Sequence, residues 1–116
     1  MKNKNSYKDL IVWQKATEVA VQVYGLTKEF PRDEVYGLTS QMRRAAVSIS
    51  SNIAEGKLRG SPLEWKRFLS IAYGSAGELE TQIEIARRLD IGKKEKLDEV
   101  DELLQEVMKM LNVLTG

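Results

Sequence analysis

Apolar side chains recur every three or four positions along most of the chain, the rhythm of α-helices, and no stretch sustains strand-like alternation. The clearest run is Trp65, Leu69, Ala72, Ala76, Leu79, Ile83 and Ala86, which stacks along one helical face. Ser61-Pro62-Leu63-Glu64 ahead of it reads as a capping box with proline at the first helical position. The last helix is marked by Leu97, Val100, Leu104, Val107, Leu111 and Leu114, with Gly92 as the break before it. The first runs from about residues 8–12 to Lys28, buries Val12, Ala16, Val19, Val23 and Leu26, and stops before Phe30-Pro31. The second spans about Leu38 to Glu55, with Leu38, Met42, Ala45, Ile49 and Ile53 inward and Gly56 and Gly60 flanking its exit. The links near residues 29–37, 57–61 and 89–92 are short, so sequential helices pack antiparallel. The expected fold is all-α: an antiparallel up-down-up-down four-helix bundle forming one domain over residues 1–116, with residues 1–6 flexible.

Two helices carry more apolar surface than one core needs. Trp13, Ala20, Val21 and Tyr24 widen the first stripe, and Leu103, Met108, Met110 and Val113 flank the last. A broad apolar arc meets either water or another subunit, and a homo-oligomer is the expectation. Gly74 and Gly77 inside the third helix each cost about 1 kcal/mol relative to alanine, which a closely approaching backbone would explain.

The chain has no cysteine and no histidine. Disulfides, thiolate and histidine-dependent triads, zinc–histidine sites and Glu-x-x-His di-iron sites are therefore excluded. Glu80 and Glu84 share a face, Glu78 is turned aside, and no histidine supplements them, so a metal site is not expected. The acidic run Asp98-Glu99, Asp101-Glu102 and Glu106 reads as a solvated outer face. No catalytic residue and no cofactor is assigned. There is no run of eighteen apolar residues and no secretory-type leader, so a cytoplasmic protein without a membrane partner is expected.

Net charge is +1, yet the charges are segregated. Residues 41–67 carry six basic side chains against two acidic, and residues 78–116 six basic against ten acidic. Lys57, Arg59, Lys66 and Arg67 gather at one end of the bundle and are the first candidates for phosphate contact; Trp65 beside them belongs to the core stripe. Arg43 and Arg44, roughly 18 Å away along the second helix, are further nucleic-acid candidates, although pairing with Glu78, Glu80 or Glu84 is the favoured role. Asn52, with Ser48, Ser51 and Glu55, sits in an otherwise apolar helix and is expected to bridge helices or subunits. The interface candidates are Trp13, Val21, Tyr24, Arg43, Asn52, Met108 and Met110.

The segment from Phe30 through Gln41-Met42-Arg43-Arg44 into Ser51-Asn52-Ile53-Ala54-Glu55-Gly56 resembles the signature of the bacterial 23S rRNA intervening-sequence, or four helix bundle, proteins. Leu10-Ile11-Val12-Trp13-Gln14-Lys15-Ala16 and Gly74-Ser75-Ala76-Gly77-Glu78-Leu79-Glu80-Thr81-Gln82 fit the same family, so the likeness covers about residues 7–91. The resemblance implies a four-helix bundle that assembles as a ring-like homopentamer, with no enzymatic activity and no cofactor. Some members are encoded within 23S rRNA gene insertions. A related branch is the accessory protein of diversity-generating retroelements, whose basic barrel binds nucleic acid and a reverse transcriptase. Ser50 stands where many relatives carry proline, and this chain is near neutral where the retroelement proteins are strongly basic. The expected function is a non-enzymatic homo-oligomer associating with RNA or a ribonucleoprotein; the alternative is an oligomeric protein–protein adapter that touches no nucleic acid.

Overall fold

The computed structural model describes residues 6–116. Four helices account for nearly all of it: α1 (Ile11–Thr27), α2 (Leu38–Arg59), α3 (Pro62–Arg88) and α4 (Lys94–Thr115), with short 3-10 turns at Tyr7–Asp9 and Arg32–Glu34. The expected flexibility of residues 1–6 falls outside the described residues except at Ser6, whose hydroxyl accepts from the Lys8 amide at 3.2 Å.

The side-chain pairs fix the helix directions. Lys15 near the start of α1 meets Glu106 near the end of α4 at 3.2 Å, while Glu29 beyond α1 meets Lys96 at the start of α4 at 2.8 Å. Ser48 and Ser75 join the middles of α2 and α3 at 2.8 Å, and Arg87 at the end of α3 reaches Asp98 early in α4 at 2.9 Å. Each helix therefore runs antiparallel to its sequence neighbour, and α4 closes back on α1. Every inward position expected from the spacing is buried except two. Trp65 is half-buried, and Leu114, near the end of α4, remains 40% exposed.

Several boundaries differ from the sequence expectation. α2 does not end at Glu55 but continues to Arg59, and Gly60 closes it in a left-handed conformation at φ 76°. Only Gly60 and Ser61 link α2 to α3, where Ser61 caps the new helix by accepting from the Glu64 amide at 3.1 Å. Gly56, read as an exit, lies buried within α2: a Cβ there would sit 2.9 Å from the Phe68 Cβ and 3.2 Å from Trp65. Past the end of α3 both Asp90, with φ 57°, and Gly92, with φ 88°, are left-handed, and Asp90 is the residue that closes the helix. Ile91 donates to the Ala86 carbonyl and Asp90 to that of Arg87, which satisfies two orphan carbonyls in a Schellman arrangement.

The close approach expected at Gly74 and Gly77 is absent, since no atom lies within 4 Å of a Cβ at either position. Within the chain these glycines lower helix propensity with no packing return. Changing both to alanine should stabilise the bundle by about 1 kcal/mol each, read as a raised melting temperature. A loss of stability would mean that another chain packs there.

The acidic run on α4 is not merely solvated. Asp98 and Asp101 grip Arg87 at 2.9 and 3.0 Å, and Glu106 takes Lys15 of α1. Hydrogen bonding to Arg87, then to Lys94, holds the Asp98 carboxyl below the usual carboxylate range; Lys96 and then Lys93 do the same to Glu29. Among the described residues, no helix is long and apolar enough to cross a membrane.

Candidate functional site

An open cleft of about 600 Å³ lies between the C-terminal end of α1 and the N-terminal half of α2. Lys28 comes from the end of α1, Arg32 from the connecting turn, and Arg43 and Arg44 from α2; no carboxylate lines it. Phe30 and Val35 supply apolar floor and rim, and the rest of the lining is hydroxyl, aromatic and aliphatic.

Arg43 is the best-fixed of these cations. Its guanidinium lies 4.5 Å from the centre of the Tyr24 ring, and its Nε donates to the Thr27 hydroxyl at 2.9 Å. That hydroxyl donates in turn to the Val23 carbonyl at 2.7 Å, so a buried side chain anchors the arginine. The two terminal nitrogens, the fork that suits a phosphate or carboxylate, have no partner among the described residues. Arg32, Arg44 and Lys28 likewise form no ion pair within the described residues. Nearby carboxylates are turned elsewhere: Glu29 goes to Lys93 and Lys96, and Glu34 caps α2 by accepting from the Leu38 amide at 3.2 Å. Thr39, 6% exposed and lining the cleft, has a buried hydroxyl with no hydrogen-bond partner.

This corrects the expected role of Arg43 and Arg44. Neither meets Glu78, Glu80 or Glu84: Glu84 pairs with Arg88 at 3.0 Å, and Glu80 accepts from Gln105 at 2.6 Å. The reason is rotational. Ser48, which does touch α3, stands about 140° round the helix from Arg43, so Arg43 looks toward α1.

The other basic group is largely neutralised. Arg59 pairs with Glu55 at 3.1 Å and Arg67 with Glu64 at 3.3 Å, and both guanidinium groups lie within 5.5 Å of the centre of the Phe68 ring. Lys57 is half-buried beside Trp65 and Gly56, and Lys66 is exposed. Of the expected phosphate candidates at that end, only the two lysines keep an uncompensated charge among the described residues.

The interface candidates also divide. Trp13 packs edge-on against Tyr7 with ring centres 5.3 Å apart, while Met108 and Met110 rest half-buried on the core. Asn52 does not bridge helices: its amide donates to the Ser48 carbonyl and hydroxyl in its own helix, and Ser48 makes the crossing to Ser75. Tyr24 carries Arg43 on its ring, and Val21 remains 61% exposed.

Fold and side-chain geometry together define an all-α antiparallel four-helix bundle with a cationic cleft in its first hairpin. Residues 8–113 match the family model described as 23S rRNA-intervening sequence protein, and the chain belongs to that family. It is similar to a crystallised protein of unknown function from the S23 ribosomal protein family of Bacteroides thetaiotaomicron VPI-5482. The two share 24% identity at a TM-score of 0.81, over 91% of this chain and 99% of the other, which establishes the shared fold. No curated protein shows a significant match.

Proposed function

We propose that this chain is a non-enzymatic, homo-oligomeric bundle that associates with RNA through the cleft between α1 and α2. The observation carrying the reading is that four cationic side chains line one cleft with no carboxylate among them. Such a cleft raises the local concentration of polyanions although the whole molecule carries only +1. Membership of a family whose name refers to a 23S rRNA insertion supports an RNA partner. Self-association draws on Val21 and on the open end of the bundle, where Ile11, Val113 (79% exposed) and Leu114 leave apolar surface uncovered. By family resemblance the assembly is a pentamer.

Two measurements test this. Light scattering should give a mass several times the 13.2 kDa of one chain; a mass of one chain at all working concentrations overturns self-association. RNA should bind at micromolar protein in about 50 mM salt and be released as salt rises, since phosphate contacts displace condensed counterions. Absence of binding in the low-salt gel shift would leave the protein–protein adapter as the better reading.

A further inference from the structure

We infer that the RNA taken by the cleft is single-stranded, its backbone seated among the cations and an unpaired base stacked on Tyr36; this rests on the reading above and specifies its substrate class. Tyr36 directly follows Val35, which lines the cleft, and it is 96% exposed. The loop that carries it is held in place. Glu34 donates to the Pro31 carbonyl at 3.0 Å, Val35 to that of Arg32 at 3.1 Å, and Gly37 to that of Glu34 at 3.0 Å. A braced turn thus exposes a phenol ring one residue along the chain from the lining of a cationic concavity, and an electrostatic groove with a stacking platform is the combination by which single strands are bound. Of the two aromatics that line the cleft, Tyr24 already carries Arg43 on its ring and Phe30 is buried, which leaves Tyr36 as the platform.

The shape selects against a duplex. A duplex keeps its bases stacked inside, where Tyr36 could not reach them, and meets a protein with a convex backbone. A flexible strand can instead turn a phosphate inward, to the free fork of Arg43.

The experiment measures fluorescence anisotropy of a labelled uridine-only oligonucleotide of about 12 nucleotides, a length within the range of single-strand sites, against a duplex RNA of matched length. Wild type should prefer the single strand. Tyr36→Ala should weaken single-strand binding about tenfold, the loss of one base stack, leave duplex binding unchanged, and be rescued by Tyr36→Trp. The ring lies in solvent, so the substitution should not disturb the fold. Equal affinity for both RNAs, or a Tyr36→Ala variant indistinguishable from wild type, overturns the single-strand inference while leaving RNA association standing. Failure to bind either RNA overturns RNA association itself, and this inference with it.

Discussion

Gly56→Val should destabilise the bundle by about 3 kcal/mol, at the upper end of what overpacking a tight contact costs. Even the first added carbon would lie 2.9 Å from the Phe68 Cβ, an atom fixed by its own backbone, with Trp65 at 3.2 Å on the other side. The helices must part to admit it, and the second branch of valine enlarges the demand. Gly56→Ala is the more discriminating variant. Alanine favours the helix by about 1 kcal/mol, so a net loss of stability in that variant isolates the steric term. Thermal melts of the two variants beside Gly74→Ala should move in opposite directions: down for Gly56, up for Gly74, where nothing lies within 4 Å. An unchanged melting temperature for Gly56→Val would show that α2 and α3 are not in contact at this level.

That contrast also shows what helical spacing conveys and what it leaves open. The stripes Met42–Ala45–Ile49–Ile53 and Leu69–Ala72–Ala76–Leu79 are legible because burial repeats with the helical period, and each of these residues is buried. A glycine has no side chain to take part in the period, so Gly56 reads as an exit although it is a contact. Only the two-residue link to α3 settles it, by bringing Trp65 and Phe68 across from it. Gly74 and Gly77 invite the opposite error, since a close neighbour is inferred where the described residues supply none.

The cleft was legible in part. Arg43 and Arg44 stand out as basic residues in an apolar helix, but their bearing depends on the rotation of α2, which a linear charge pattern does not contain. Lys28 and Arg32 escaped notice because they lie in different elements from the arginines they join, Lys28 at the end of α1 and Arg32 in the connecting turn. The available signal was topological: an antiparallel hairpin places the end of α1 beside the start of α2, so basic residues flanking the link share one end. The second cluster misled for a related reason. Glu55 and Glu64, one turn from Arg59 and Arg67, are spaced to pair with them along the helix, which cancels much of the apparent positive surplus.

Reversing both cleft arginines, Arg43→Glu with Arg44→Glu, should lower RNA affinity about a hundredfold at low salt and flatten its salt dependence, since two phosphate contacts are lost and two repulsions added. Removing the neutralised pair, Arg59→Ala with Arg67→Ala, should change affinity about threefold at most, because exposed, already paired charges contribute little to an outside partner. The reversed variant should still fold. Arg43 gives up one hydrogen bond to Thr27 and its place over Tyr24, together worth about 2 kcal/mol, and the Thr27 hydroxyl keeps its bond to the Val23 carbonyl. Circular dichroism checks that the helices persist. Arg43→Lys then separates charge from geometry, because lysine keeps the positive charge and loses the planar fork. Intermediate affinity in that variant would show that the fork held against Tyr24 and Thr27 contributes beyond its charge. If the doubly reversed protein bound RNA as tightly as wild type, the cleft would be excluded as the contact surface, and the two free lysines at the α2–α3 end would be the remaining cations among the sequence candidates.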